Sequence, residues 1–281
     1  MNENTEEKKQ KIHILELLLE AAFSIRLGKN LVVFRGSLLT KSWIKENYYR
    51  SVSDLDFLAI ANYDKELYIN FIKKTLQKAQ EISDTSDSKN NLQIDINSLK
   101  TEDTWTDTQT PSFRFYFNIK LNHTLFRNIQ IDIAFGDTLV LPALWTKYNC
   151  IYSHKKINVF SVQHEQALAW KVHGLFDFYD RGARWQTKDL YDIFCILKTQ
   201  SIQKQKFQKC VLIAFEDKNT PISLSYSKMK NDLFGKSKGS QKKWQKFLTQ
   251  KLNYKTEKEE LELNKVIRTV KEFLDPFLGS H

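Results

Sequence analysis

The sequence predicts an α+β protein in which a mixed β-sheet flanked by helices is followed by a helical domain. The segments that we interpret as strands from their apolar pattern all lie in the first 135 residues. Helical periodicity lies between those segments and dominates after about residue 161. The character changes after Pro142, so we predict a first domain over residues 1–150 and a helical domain over residues 151–281.

The first domain is predicted to alternate helices with short strands. Gly28 follows a helical pattern and supplies its stop. Predicted helices cover residues 11–27, 38–46 and 64–81, and predicted strands cover residues 30–34, 53–60, 92–97, 113–121 and 128–135. Asn122 and His123 predict a hairpin turn between the last two strands. Residues 101–112, rich in Thr and Asp and containing Pro111, predict a flexible loop.

The second domain is predicted to consist of helices over residues 161–177 and 187–198, followed by three or four more. Residues 201–281 hold 17 Lys and Arg against 9 Asp and Glu. Between residues 227 and 246 seven lysines meet one acid, and Trp244 lies among them. Such a stretch suits contacts with a phosphate backbone, with Trp244 as a stacking platform for a base. A lysine-rich stretch is also what an ordinary solvated helix face looks like.

A pair of carboxylates marks the strand over residues 53–60. Asp54 and Asp56 point to the same face of that strand, because side chains alternate along it. Adjacent carboxylates repel, and one of them normally takes up a proton. A divalent cation such as Mg²⁺ removes that penalty and prefers oxygen ligands. Upstream, Gly36 and Ser37 form a turn at a helix start, where free backbone N–H groups can bind phosphate.

The stretch FRGSLL, followed by RSVSDLDF, resembles the AbiEii/AbiGii toxin family of the DNA-polymerase-beta-like nucleotidyltransferase superfamily. That family typically has Gly-Gly or Gly-Ser, a helix, and then Arg-x-x-x-Asp-x-Asp-Phe. Arg50 stands at the position of the family's arginine. The resemblance covers roughly residues 30–200 and implies a nucleotidyltransferase-type sheet in the first domain.

The resemblance also implies a third carboxylate on a later strand. Asp132 lies on the polar face of the strand that returns from the hairpin, which is where the family places that carboxylate. Asp95, in a similar Gln-Ile-Asp-Ile sequence, is the rival. The order along the chain favours Asp132.

Two helical motifs extend the resemblance into the second domain. The family typically has Glu-x-Leu-Leu-Ala-x-Lys, followed after a loop by [RK]-D-x-x-D. This chain resembles both motifs in that order, with Glu165-Gln-Ala-Leu-Ala-Trp-Lys171, in which Ala167 replaces the commoner Leu, and then Lys188-Asp189-Leu190-Tyr191-Asp192. By this resemblance Lys171 neutralises a triphosphate, Lys188 and Asp189 line the nucleotide pocket, and Asp192 supports them. Alone, each motif would fit an exposed helix lysine or a helix N-terminus.

Composition limits the possible partners and location. The net charge of +10 and pI of about 9.3 indicate a polyanionic partner, although a lysine-rich proteome gives the same balance. Three cysteines without metal-ligand spacing argue against structural zinc and fit a reducing cytoplasm. No apolar run has the length of a membrane span, and the polar N-terminus is unlike a signal peptide.

The resemblance implies transfer of a nucleoside monophosphate (NMP) from a nucleoside triphosphate (NTP) to an acceptor hydroxyl, with two Mg²⁺ ions on Asp54, Asp56 and Asp132. Toxins of this kind suggest RNA as acceptor, above all the 3′ end of tRNA, and a cognate antitoxin as partner. The alternatives are a small-molecule nucleotidyltransferase, as in antibiotic modification, and a non-catalytic module that binds nucleotide or RNA. The positive charge argues against the first, and the presence of all three carboxylates argues against the second.

Overall fold

A computed structural model describes residues 5–44, 50–85, 91–105, 111–177, 185–231, 234–252 and 259–279. The chain divides into two compact units. The first unit comprises Met1–Ser42, Val52–Asp137 and Ala143–Val162, and the second comprises Trp43–Ser51, Thr138–Pro142 and Gln163–His281. The domain boundary near residue 150 stays a prediction, because compactness does not show which part folds independently.

The first unit is built on a seven-stranded mixed sheet with the order β3-β4-β5-β2-β1-β7-β6. The strands are β1 (Val32–Arg35), β2 (Asp54–Ala59), β3 (Leu92–Trp105), β4 (Pro111–Leu121), β5 (Thr124–Ala134), β6 (Leu144–Asn149) and β7 (Lys156–Ser161). β2 is antiparallel to β1 and parallel to β5. The predicted α+β class and mixed sheet are therefore confirmed.

The described helices of the first unit are α1 (Thr5–Ser24), α2 (Arg26–Leu31), α3 (Gly36–Trp43, whose last residue belongs to the second unit) and α4 (Lys65–Thr85). Helices α1 and α4 pack against one face of the sheet. Phe57 of β2 packs with its ring against Phe23 of α1 and Phe71 of α4, at centroid distances of 6.0 and 6.3 Å. Because neighbouring residues of a strand point to opposite faces, this packing directs Asp54 and Asp56 away from α1 and α4.

The loop predicted over residues 101–112 is wrong where the structure describes it. β3 continues to Trp105, and β4 begins at Pro111. The register shifts between Asp95 and Lys100, after which the β3 backbone pairs with β4 again, from Lys100 opposite Tyr116 onward. Backbone pairing on this ladder outweighs the polar composition from which the loop was predicted.

The sequence analysis missed β6 and β7, the two strands at one end of the sheet. β6 is an edge strand with mostly exposed side chains, so no alternation marks it. β7 alternates, with Ile157, Val159 and Ser161 buried, but it is only six residues long. It lies beside β1, in parallel, where Phe34 pairs with Ser161.

The second unit is helical in its described part, as predicted. Its helices are α5 (His164–Asp177), α6 (Thr187–Thr199), α7 (Lys204–Glu216), α8 (Ile222–Lys230), α9 (Lys238–Leu252) and α10 (Leu263–Leu278). Trp244 is fully buried in its core, and its indole N–H donates to the carbonyl of Leu261 at 2.8 Å. The expectation that Trp244 stacks on a base is therefore wrong. None of the helices in the described part of the chain combines the length and apolar character of a membrane span.

Candidate active site

The Gly-Ser turn lies at the junction of β1 and α3. Gly36 has φ +83°, and a Cβ atom there would lie 1.9 Å from Oδ2 of Asp56. Only glycine allows both this backbone conformation and this approach. The backbone N–H of Ser37 donates to Oδ2 of Asp56 at 3.3 Å, and the Ser37 hydroxyl lies 3.5 Å from Oδ1 of Asp54. The turn and the two predicted carboxylates thus form one cluster.

The third carboxylate of that cluster comes from β5. β2 and β5 are parallel neighbours, and their register places Asp56 opposite Asp132. Asp54, Asp56 and Asp132 each offer a carboxylate oxygen within 4.8 Å of those of the others. Asp95 is exposed on β3, which β4 and β5 separate from β2. The structure therefore brings Asp132 to the pair and leaves Asp95 apart.

This convergence of carboxylates changes the chemistry of Asp56. Burial and the nearby charges of Asp54 and Asp132 raise the pKa of Asp56 to about 7. Arg35, on the neighbouring strand, and the N–H of Ser37 oppose that rise. Arg35 also pairs with Asp137, which divides its charge between two acids. Near neutral pH the cluster therefore holds more negative charge than the protein itself neutralises.

Two side chains that sequence reasoning missed hold Asp132 in place. Arg114 of β4 donates to both of its oxygens, from Nε to Oδ1 at 2.9 Å and from Nη2 to Oδ2 at 3.0 Å, and Gln130 donates to Oδ2 at 2.9 Å. The bond to Asp132 raises the pKa of Arg114, so its charge is permanent. Oδ1 accepts one bond only and keeps a lone pair for another partner. Arg114 lies opposite Asp132 in the β4–β5 register, so a correct hairpin register could have found it.

The donor set fits a hard divalent cation. All three side chains offer oxygen, with no sulfur or imidazole in the described cluster, and Mg²⁺ prefers oxygen ligands. Burial and the repulsion from Asp54 and Asp132 raise the pKa of Asp56, and a cation bound to the three oxygens would offset that repulsion. The residues present therefore fit the metal that the sequence predicts.

Comparison with known proteins agrees with this geometry. A family model described as nucleotidyl transferase AbiEii toxin, type IV toxin–antitoxin system, matches residues 17–272. The chain belongs to the AbiEii nucleotidyltransferase toxin family. A structural relative is MenT4, a nucleotidyltransferase toxin from Mycobacterium tuberculosis H37Rv, with 13% identity and a TM-score of 0.50 over 96% of this chain and 83% of that chain. At this identity the likeness shows the fold alone. A sequence search of curated proteins finds no match.

Membership of the AbiEii family confirms the predicted resemblance and gives the general function. The protein is a nucleotidyltransferase toxin of a type IV toxin–antitoxin system, which implies an NTP as substrate and a cognate antitoxin. The matched segment contains the Gly-Ser turn and the three carboxylates, and it extends through most of the helical second unit.

The second unit of this AbiEii-family chain holds three of the other predicted site residues, Lys171, Asp189 and Asp192, in a largely buried charge network. Arg50 donates to both oxygens of Asp192 at 2.7 Å, and the ammonium of Lys171 donates to Oδ2 of Asp192 at 2.6 Å. Asp189 lies 3.9 Å from Lys171. Lys188 is exposed in the first turn of α6. The structure thus brings Lys171, Asp189 and Asp192 together around Arg50.

The two aspartates of this network have pKa values shifted in opposite directions. Burial favours the neutral form of Asp192, but the charges and hydrogen bonds of Arg50 and Lys171 outweigh it and lower the pKa of Asp192. Burial raises the pKa of Asp189, against the charges of Lys171 and Lys188. Asp192, with a side chain only 2% exposed, fixes both cations. Its removal would leave Arg50 without its carboxylate partner and Lys171 with Asp189 at 3.9 Å, so Asp192 stabilises the unit.

Proposed function

We propose that this toxin is a Mg²⁺-dependent enzyme that transfers an NMP from an NTP to a hydroxyl of RNA in the cytoplasm, with the 3′ end of tRNA as the favoured acceptor. The single observation that supports this most strongly is the cluster of Asp54, Asp56 and Asp132, whose carboxylate oxygens lie within 4.8 Å of one another beside the Gly36-Ser37 turn.

The reaction forms one bond and breaks one. The acceptor oxygen bonds to the α-phosphorus, the bond from that phosphorus to the bridging oxygen of the β-phosphate breaks, and pyrophosphate leaves with the electron pair. The acceptor proton passes to Asp132. Hydrogen bonds from Arg114 and Gln130 fix the orientation of this carboxylate. When bound, two Mg²⁺ ions on Asp54, Asp56 and Asp132 supply charge stabilisation for the attacking and leaving oxygens.

The remaining residues serve nucleotide binding in this proposal. The backbone of Gly36 and the hydroxyl of Ser37 hold the β- and γ-phosphates at the start of α3, where backbone N–H groups favour anions. Lys171 supplies a positive charge for the triphosphate and is positioned by Asp192. Lys188 and Asp189 line the nucleotide pocket. A rise in the KM for NTP in Lys171→Met, with a smaller change in kcat, would support this role.

RNA is proposed as acceptor because the chain is strongly basic, at +10. The test is incubation with each α-labelled NTP, Mg²⁺ and total RNA, followed by a denaturing gel. Label in a tRNA-sized band supports the proposal and names the base. Label in small molecules instead would mean a different acceptor, and no consumption of any NTP would contradict the proposal. The same assay is run on Asp56→Ala, which removes a carboxylate of the cluster and should abolish labelling. Asp95→Ala is the matched control, since it removes a carboxylate outside the cluster.

A further inference from the structure

We propose that an exposed lysine face on α9 binds the RNA acceptor through its phosphates alone, without reading its bases. This lysine face consists of Lys238, Lys242 and Lys246. The inference rests on the proposed function for the identity of the polyanion. It differs from the expectation drawn from the sequence, in which Trp244 would also stack on a base.

The lysine face has a fixed geometry. Its three members are spaced by four residues, so they form a single row along the helix, about 6 Å apart along its axis. Trp244 and Phe247 on the opposite side are buried and in ring contact, with centroids 5.7 Å apart. The helix is thereby anchored with its row of three lysines facing outward.

The composition of α9 does not serve the stability of the protein. Its 15 residues contain no Asp or Glu. Lysines four residues apart repel, and Lys238 in the first turn faces the positive end of the helix dipole. Among the described residues none forms an ion pair or hydrogen bond with the three side chains of the lysine face. This arrangement is unfavourable unless a polyanion neutralises it.

Helix α4 shows what an ordinary solvated face looks like in this protein. It carries four lysines with three acids, and its Lys78 pairs with Glu81 at 2.9 Å. Lys243, although on α9, is also committed within the protein, since its ammonium donates to the carbonyl of Trp185 at 2.6 Å and lies over that indole ring. The lysine face is therefore a distinct surface, and the exposed side chains beside it on α9 include the uncharged Gln245, Thr249 and Gln250.

Because no aromatic side chain of α9 is exposed, the contact is electrostatic and releases counterions. Each neutralised phosphate contributes about 0.7 to 0.9 to the slope of log affinity against log salt. Three lysines therefore account for a slope of about 2 to 3. The affinity should not depend on base identity, since a point charge on a flexible stem reads no base edge.

The test measures RNA binding to the full chain without NTP, so that it does not depend on transfer. Lys238→Ala, Lys242→Ala and Lys246→Ala are combined in one variant, and binding of tRNA and of poly(A), poly(U) and poly(C) is measured between about 50 and 200 mM salt. We expect affinity to fall at least tenfold at the lower salt, the slope to fall by about 2, and the three homopolymers to be affected equally. The variant should melt no lower than wild type, because like charges have been removed.

Two further variants sharpen the result. Lys73→Ala, Lys74→Ala and Lys120→Ala together remove the same charge from exposed positions of α4 and β4 and should change affinity less than threefold. Arginine at all three positions of the lysine face should retain binding. The proposal would be overturned if the two alanine variants lost equal affinity, or if the variant of the lysine face bound RNA as well as wild type. It would also be overturned if binding fell for one homopolymer only, or if wild type bound no RNA. RNA binding without any nucleotide transfer would instead contradict the proposed function and leave the lysine face standing.

Discussion

Replacement of Asp56 by Asn should stabilise the metal-free protein, and more so at high pH. Asp56 keeps its proton up to about pH 7 in the folded state, because of burial and the charges of Asp54 and Asp132, whereas an unfolded chain releases it near pH 4. A pKa that is higher in the folded state than in the unfolded state makes stability depend on pH. The protonated carboxyl group favours folding fully when the pH is below the unfolded-state pKa, and this contribution is lost as the pH rises through the folded-state pKa. Above pH 7 the ionised carboxylate therefore destabilises the fold.

The size of this effect follows from the two pKa values. At ~1.4 kcal/mol per pH unit between them, the cost is about 4 kcal/mol at pH 8 and under 2 kcal/mol at pH 5. If Asp56→Asn gained only half of this free energy at pH 8, its Tm would still rise by roughly 4 to 8 °C. Asn keeps an acceptor for the Ser37 N–H, so little else is lost.

The assay is thermal unfolding in EDTA at pH 5 and pH 8, with Asp95→Asn as control for an exposed carboxylate on β3. Asp56→Asn should gain at least twice as much at pH 8 as at pH 5, and the control should change little. Added Mg²⁺ should stabilise wild type and not Asp56→Asn, since a ligand that binds only the folded state stabilises it. A variant that melts at the wild-type temperature at both pH values would refute the electrostatic account of the cluster.

Three further changes test other parts of the structure. Gly36→Ala should lower stability by ~1 to 3 kcal/mol and abolish transfer, because its Cβ would clash with Asp56 at a positive φ; wild-type melting and turnover would show that the turn is not so constrained. Arg114→Lys should weaken Mg²⁺ binding and lower kcat roughly 10- to 100-fold, with the KM for NTP within about twofold, because Lys cannot hold both oxygens of Asp132; a rise in KM alone would mean that Arg114 binds nucleotide instead. Asp192→Ala should cost ~3 to 5 kcal/mol, read by urea unfolding, because Arg50 loses its carboxylate partner and Lys171 keeps only the more distant Asp189; a loss under 1 kcal/mol would contradict the role of this network.

Much of the site could be predicted from the sequence because its signals are local. The alternation around Asp54 and Asp56 specifies their shared face, and a glycine followed by a helical pattern marks the turn at Gly36. Alternation also marks the strand of Asp132, but it marks that of Asp95 as well, and the family resemblance and the order along the chain were needed to choose Asp132. These features depend on residues close together in the chain, which periodicity captures well.

The features that were missed depend on pairing between distant segments. Arg114 binds Asp132 only because β4 and β5 pair in one particular register, with a shift between Phe117 and Ile119. The end of β3 is a strand because of its ladder with β4, although its own composition favours a loop. Trp244 lies in a lysine-rich stretch, yet tertiary packing buries it. No pattern within a short window distinguishes such outcomes.

The most direct test of the central account uses one NTP labelled either at the α- or at the γ-phosphate, with Mg²⁺, total RNA, and wild type beside Asp56→Ala and Asp95→Ala. We predict that the α-label enters RNA, that the γ-label leaves as pyrophosphate, and that only Asp56→Ala abolishes both. Entry of the γ-label into the product would show phosphoryl transfer instead of nucleotidyl transfer. Equal α-labelling by wild type and Asp56→Ala would show that the carboxylate cluster is not the catalytic centre.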